Sequence, residues 1–499
     1  MTTSTPTPQP TRVVLAIDLG TTQAKAGLVT LDGRLLTEAR GAYPILPVTE
    51  RGAAEQDPAA WWTVIVTMSA ALLAAAGAVE IVAVCADGQG PTLVVADADG
   101  RSVGPALTWL DTRCSADESS LTAATGAHGW TLGVLPRARW FERQRPALAA
   151  HGRWYLASWE WVALRLSGVA CRTSLSAQVH PDLDLVAATG LRTDRVPPLV
   201  AAGTVIGRLL AGPAAELGLP PGIPVVAGMA DAHASFLGAG LLEPGDAIDT
   251  GGTSGGFAVY TDRPLDIPGV FGAAAPIPGR WFLGGAMNAT GKALEWFRDD
   301  VLAGESSIDD LLAEAATLAA GADGLVFLPY LAGERSPIWD PAARGAFVGL
   351  TLRHRRAHLV RSIVEAANLA LRHVAAPIVA AGVPVTELRV SGGLARDAAW
   401  NRVKADVTGF AVAVPEVVET ALLGSAITAA TGIGWCADFA TGARTMVRIR
   451  ERIEPDPAKR PIYDSLYAVY AELYPALRLA FQGLAAVERD SAGGIEDPG

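Results

Sequence analysis

Cysteine is scarce in this chain. Four residues, Cys85, Cys114, Cys171 and Cys436, are scattered along 499, and none forms a Cys-x-x-Cys pair. The seven histidines show no ligand spacing. Neither a disulfide framework nor structural zinc is expected; reduced, buried thiols are. Basic runs interleaved with aromatics are missing and the net charge is −11, so nucleic acid is not an expected partner. The opening MTTSTPTPQPTR is polar and Pro-rich and lacks the basic-then-apolar order of a secretory leader. Residues 1–11 are read as a disordered tail and 486–499 as a flexible one. One uncharged stretch, Trp61 to Val79, is long enough to span a bilayer. It is rich in Ala, Thr and Ser and is flanked by Asp57 and Glu80, and alanine adds little transfer energy. A soluble helix, no membrane association and a cytoplasmic location are expected.

Half of the residues are hydrophobic and 18% are charged, enough for two or three domains with sizeable cores. Two large lobes suit the length better than one core. Apolar runs of strand length alternate with alanine-rich segments of helix length: strand 13–17, a polar turn, strand 24–31, helix 58–77, strands 80–86 and 92–96, a Trp-rich and mostly helical region 139–170, then strand 225–228 and a helix to about Leu241. That alternation predicts an α/β fold.

A repeat is the most informative feature. Ala16-Ile17-Asp18-Leu19-Gly20-Thr21-Thr22 recurs as Ala247-Ile248-Asp249-Thr250-Gly251-Gly252-Thr253-Ser254, with one extra glycine. Either two Gly-Thr pairs have followed apolar strands by chance, or the chain holds two homologous lobes. In the second case the boundary falls near Glu243-Pro244-Gly245, giving lobes 12–244 and 245–485.

Glycine admits close backbone approach to an anion, and successive N–H groups in such a turn form an anion-binding concavity. One turn from each lobe would clamp a polyphosphate. Asp18, ahead of the first turn, is placed to hold a hydrated Mg²⁺, or simply to cap the turn. Phosphoryl transfer also needs a group that takes the nucleophile's proton. Asp231, after the apolar run 224–229, is a candidate base; its alternative is the N-cap of the following helix. Ser391-Gly392-Gly393-Leu394 lies between strand 388–390 and a helix from about Arg396 to Thr408, where glycines admit a flat ring or a phosphate, or merely tight helix packing.

Together these segments resemble the FGGY carbohydrate kinases, and among them the xylulokinase-like branch, from about residue 13 to 480 and in the family's order. Asp18-Leu-Gly-Thr-Thr-Gln-Ala-Lys25 is similar to the first phosphate motif, Glu55-Gln-Asp-Pro-Ala-Ala-Trp-Trp62 to an early element of the sugar lobe, and Trp109-Leu-Asp111-Thr-Arg113 to the Trp-x-Asp-x-Arg strand end. Gly228-Met-Ala-Asp231 resembles the site of the catalytic base and Gly252-Thr253-Ser254 the second phosphate motif. The most specific match is Gly333-Glu334-Arg335-Ser-Pro with Asp340-Pro-Ala-Ala-Arg344-Gly345 behind it; Gly392-Gly393-Leu-Ala-Arg396 with Trp400 and Asp406 resembles the adenosine motif.

The resemblance implies two ribonuclease-H-like lobes of the actin/hexokinase type with a central cleft, and ATP with Mg²⁺ as cofactors. It implies Asp231 as base, Asp18 at the metal, and Thr21, Thr22, Lys25, Gly252, Thr253, Ser254, Gly392, Gly393 and Arg396 at the nucleotide. Gln89, Gly90, Trp109, Asp111 and Arg113 join Asp231 at the sugar. The implied acceptor is a small sugar or polyol, with D-xylulose leading. A ribulokinase, a polyol or glycerol-type kinase, or a non-kinase sugar sensor or ATPase on the same fold are the alternatives, and a homodimer is one arrangement open to the chain. Three departures lie on the sugar side. Asp87-Gly88-Gln89-Gly90 stands where xylulokinases usually have Gln-Met-His-Gly. Ala232 and then His233 follow the base in place of Asn, and Pro136-Arg137-Ala-Arg-Trp140 replaces Pro-Lys-x-x-Trp.

Overall fold

The computed structural model describes residues 10–127, 129–174, 183–252 and 255–493. The apolar run Val13–Ile17 has no solvated face, its side chains being at most 2% exposed, as a central strand covered on both sides requires. It lies in β1 (Thr11–Leu19), which turns at Gly20-Thr21-Thr22 into β2 (Gln23–Thr30), followed by β3 (Leu35–Ala42). Helix α1 (Pro58–Ala75) starts where theory puts a start: the Asp57 side chain caps the Ala59 N–H, and Pro58 needs no donor at the first position. It buries Trp61, Trp62, Ile65, Met68 and Leu72, one helical face. Next come β4 (Val79–Gly88), β5 (Pro224–Val226) and α2 (Asp231–Gly238). The sheet runs β5-β4-β1-β2-β3, with an extra antiparallel strand, Val205–Arg208, beside β5.

The second half repeats this order. β6 (Asp246–Asp249) turns into β7 (Gly255–Thr261), then β8 (Trp281–Met287), α3 (Arg356–Ala380), β9 (Glu387–Val390), α4 (Ala398–Thr408) and β10 (Val412–Pro415). Its central strands run β10-β9-β6-β7-β8. In both sheets a hairpin and a third strand are antiparallel, while the next two strands join in parallel. The short repeat in the sequence is thus the turn of a duplicated five-strand motif.

The chain falls into two compact units, but they are not the two continuous stretches divided at 244/245. The first comprises 1–240, 274–278 and 419–447; the second comprises 241–273, 279–418 and 448–499. The segment 419–447 carries α5 (Thr420–Gly432), which packs on β1, β4 and α2 in the first unit. Gly238 and Gly424 make that packing possible. A Cβ on Gly424 would sit 1.9 Å from the Ala234 carbonyl oxygen, and one on Gly238 1.8 Å from that of Thr420.

Local differences from the sequence reading have local causes. Trp154–Ala157, inside the region expected to be mostly helical, is a strand paired with Leu93–Ala96; its consecutive large side chains suit a covered strand better than a helix face. The helix expected from Arg396 starts at Ala398, because Asp397 caps it by accepting from the Trp400 N–H; Gly393–Arg396 forms a 3-10 turn instead. Among the described residues two helices, α1 and α3, are long and apolar enough to cross a membrane. The second holds the buried Arg361–Glu365 pair, bonded at 2.8 Å. Placing an alanine at position 424 should cost roughly 1–3 kcal/mol, the usual range for overpacking. Thermal unfolding of Gly424→Ala, set beside a surface Gly→Ala control such as Gly212→Ala, checks this.

Candidate active site

The parallel register of β1 and β4 sets Asp18 directly beside Asp87. Both are nearly or fully buried, and their carboxyls lie within hydrogen-bonding reach of each other. Two carboxylates only accept, so a bond between them requires that one keep its proton. Asp87 Oδ2 accepts from Ser425 Oγ of α5 at 2.5 Å, while no N–H or hydroxyl among the described residues donates to its buried Oδ1. Burial and the neighbouring charge of Asp18 hold the Asp87 carboxyl well above the usual carboxylate range. Asp18 is raised too, by burial against the opposing charge of Lys25. Asp87 therefore does not face solvent.

Asp231 opens α2. The cap position is Ala230, so the N-cap reading misses by one residue; the Asp231 carboxylate instead accepts from the Ala232 N–H at 2.7 Å. Burial, and then the charge of Asp18, push its pKa up to about 7. His233, two positions on, is buried, and burial lowers it to about 4, so it is neutral. Lys25 reaches Glu419 Oε2 at 2.7 Å, and Arg40 takes the other oxygen of that carboxylate at 2.7 Å. Burial alone would depress the Lys25 ammonium, but Asp18 and Glu419 outweigh it.

The first Gly-Thr turn is held from several directions. Tyr43 donates its hydroxyl to the Gly20 carbonyl, Gln56 Nε2 donates to the Thr21 carbonyl at 2.7 Å, and Trp109 Nε1 donates to Thr21 Oγ1 at 2.8 Å. Thr22 is exposed. Gln89, expected at the sugar, is 1% exposed and donates its amide to Gln56 at 2.8 Å; Gly90, next to it, is partly exposed. Asp111 and Arg113 are bonded to each other, and Arg113 also binds Glu50 and Glu55 at 2.5 Å and lies over the Trp140 ring. Their polar atoms are occupied within the protein, which makes them a brace for the loop 50–55. Sequence reasoning missed Gln56, Tyr43 and Ser425. The Glu55-Gln56-Asp57-Pro58 motif signalled the first, and nothing local signals the other two.

In the second unit Asp249 occupies the place that Asp18 has in the first, with a different fate. Its Oδ1 accepts from the Gly251 N–H at 3.0 Å and its other oxygen pairs with the buried Lys404 of α4. Gly251 has φ +40°, and a Cβ there would meet the Ser391 carbonyl oxygen at 2.0 Å. Gly251, Gly252, Ser391, Leu394, Asn368 and Lys404 are among the residues around one narrow pocket. Gly392 is buried and bonded to the Val418 carbonyl, while Gly393 and Arg396 are exposed. Thr253 and Ser254 lie outside the described residues. The Gly333-Glu334-Arg335 motif clamps the end of β8. Glu334 accepts from the Asn288 and Arg335 N–H groups, and Arg335 Nε donates to Asn288 Oδ1 at 2.6 Å; burial raises Glu334 to about 7.

The raised Asp87 carboxyl has a thermodynamic consequence. The folded state retains a proton that the unfolded chain releases above the ordinary carboxylate range, so this group lowers stability as pH rises from there toward its folded pKa. Asp87→Asn, whose amide oxygen still accepts from Ser425, should gain thermal midpoint over the wild type at pH 8 and lose that gain toward pH 4, read by calorimetry across the range.

Comparison with known proteins accords with this architecture. Residues 13–238 match the N-terminal domain of the FGGY family of carbohydrate kinases, and residues 249–433 match its C-terminal domain. The chain is 29% identical over 487 residues to a xylulose kinase of Bacillus subtilis, covering 93% of this chain and 97% of that one. It is 26% identical over 509 residues to a gluconokinase of the same organism, covering 96% and 99%. The crystal structure of xylulose kinase from Rhodospirillum rubrum superposes with a TM-score of 0.78 at 32% identity, covering 94% of this chain and all of that one. The α/β fold is thus the two-domain actin/hexokinase type, and the chain belongs to the FGGY family of carbohydrate kinases, similar within it to the xylulose kinases.

Proposed function

We propose that this protein is an ATP-dependent kinase of a small, neutral sugar or polyol, with a pentulose such as D-xylulose as the leading acceptor. One observation carries the reading: Asp231, at the start of α2, has a carboxyl pushed up to about 7 by burial and by Asp18, the residue that precedes the first Gly-Thr turn. A carboxylate with that pKa is matched to general-base work at neutral pH. It takes the proton of the acceptor hydroxyl as that oxygen bonds to the terminal phosphorus of ATP; the bond from that phosphorus to the bridging oxygen breaks, and ADP leaves.

The Thr21 hydroxyl and the N–H groups of the first turn would contact phosphate oxygens, with Thr22 beside them, and Lys25 contributes positive charge while staying paired with Glu419. Gly252, with Thr253 and Ser254 on motif alone, would do the same in the second unit, and Gly392, Gly393 and Arg396 would take the adenosine. Asp18 would hold Mg²⁺, which supplies charge neutralisation to the phosphates when bound. The fit to a cation rests on the buried Asp18–Asp87 pair, a site with more carboxyl oxygens than protein donors among the described residues. At the sugar we assign Asp231 with Gly90, Gln89 and the ring of Trp109, and give Asp111 and Arg113 a bracing part.

The surroundings favour a neutral acceptor. Asp18, Asp87 and Asp231 influence one another electrostatically, and an acid sugar would add a further negative charge nearby. We place the enzyme in the cytoplasm.

Asp231→Asn should keep nucleotide binding by calorimetry but lower kcat by at least ~10²-fold, the usual size of a general-base contribution. In the wild type, kcat/KM should rise with pH along a limb centred near 7, as Asp231 ionises; a flat profile from pH 5.5 to 8.5 contradicts the assignment. Coupled ADP release should be stimulated by sugar, which separates a kinase from an ATPase or a sensor. Across D-xylulose, D- and L-ribulose, the pentitols, erythritol, glycerol and gluconate, a five-carbon ketose should give the highest kcat/KM. If gluconate or glycerol comes first, the pentulose reading fails while the kinase reading stands.

A further inference from the structure

Trp109 sits beyond the short strand Ala106–Leu107, in a four-stranded sheet that also holds Glu55–Gln56. Its backbone is fixed on both sides. The Trp109 N–H donates to Thr92 Oγ1 at 3.2 Å, and its carbonyl accepts from Arg137 Nη2 at 3.0 Å. Arg137, 6% exposed, also donates from Nε to the neighbouring Thr108 carbonyl at 3.0 Å. A guanidinium spans two adjacent carbonyls from one plane in a way that a lysine ammonium does not. The departure Pro-Arg for Pro-Lys thus has a structural reason, since Arg137 locks the backbone that aims the indole.

The indole N–H only donates, so Thr21 Oγ1 must be the acceptor in the 2.8 Å bond between them. A threonine hydroxyl has one hydrogen, and among the described residues no protein acceptor takes it. The same residue is pinned through its carbonyl, which only accepts. Gln56, fully buried, must therefore present Nε2 there, which leaves its Oε1 to accept from Gln89 Nε2. The orientation of both amides follows from that one carbonyl.

We propose that Trp109 and Gln56 are positioning residues of the first phosphate turn: Trp109 commits the Thr21 hydroxyl to donate its hydrogen to a phosphate oxygen, and Gln56 holds the Thr21 backbone so that the hydroxyl stays aimed. This rests on the kinase reading above. It gives Trp109 a role through its nitrogen that is separate from any contact its ring makes with the sugar, and it ties the small sheet to the nucleotide side of the reaction. A donated hydrogen bond to a charged acceptor is among the stronger ones, and accepting from the indole strengthens the outgoing O–H.

A double-mutant cycle tests this. Trp109→Phe keeps a ring and removes the donor; Thr21→Val removes the hydroxyl. With saturating sugar, kcat/KM for ATP should fall about tenfold in Trp109→Phe and at least as far in Thr21→Val, and Trp109→Phe should cost nothing more in the Thr21→Val background. The Kd for sugar alone, by calorimetry, should stay within about twofold of wild type in Trp109→Phe. Gln56→Met, nearly the same shape without the amide, should show the same loss on the ATP side. It carries the test if Trp109→Phe does not fold, as judged by thermal midpoint. Losses that multiply in the double variant, or sugar binding that weakens while kcat/KM for ATP holds, would overturn the proposal and make Trp109 a sugar contact only. If the wild type shows no sugar-dependent ADP release, the kinase reading itself falls and this proposal with it. An active wild type whose variants are unchanged overturns this proposal alone.

Discussion

Keeping two carboxyl groups side by side out of water, with a third, half-buried one in their field, is the constraint around which the first unit is organised. Asp18 and Asp87 are neighbours because β1 and β4 run parallel in one register, and Asp231 joins their field from the start of α2. Desolvating charge is costly unless it is paired or neutralised. The unit meets that cost in part with the Ser425 hydroxyl, the Ala232 N–H and the Lys25 ammonium, and in part by raising all three carboxyls. The close approach of α2 and α5 through Gly238 and Gly424 belongs to the same arrangement, since it brings Ser425 against Asp87.

The duplicated motif shows how one fold yields two different sites. Asp18 and Asp249 stand at equivalent ends of equivalent strands. Beside Asp18 the parallel neighbour offers another acid; beside Asp249 it offers Val390, and α4 supplies Lys404 as a buried counter-ion. The second aspartate is thus paired internally and steadies its glycine turn through the Gly251 N–H, whereas the first shares its place with the Asp87 carboxyl and the charge of Lys25. The same backbone places an ion-paired aspartate in one half and a pair of neighbouring carboxyls in the other, and the difference lies in which side chains the flanking elements bring.

The departures from the xylulokinase pattern fall into place by the same accounting. Arg137 binds two adjacent carbonyls from one planar guanidinium, and Gln89 sits inside an amide chain whose direction is set by the Thr21 carbonyl. Asp111 and Arg113 spend their charge on each other and on Glu50 and Glu55. The residues nearest the sugar in sequence motif are in large part the frame that holds the turn and the loop around it.

The α/β class, the repeat, the first Gly-Thr turn and the place of Asp231 at the start of α2 were legible in the sequence, because each depends on local pattern: apolar runs of strand length, glycines where backbone must approach backbone, an acid at a strand–helix junction. The lobe boundaries, the strand at Trp154–Ala157 and the occupancy of each polar side chain were not. Residues 419–447 follow the second sheet in the chain yet pack in the first unit, and Ser425 meets Asp87 across 338 positions of sequence. Such contacts, and the pKa shifts and hydrogen-bond directions that come from them, depend on which groups share a desolvated space. A linear chain records only the residues that fill it, so that part was decided by the tertiary structure.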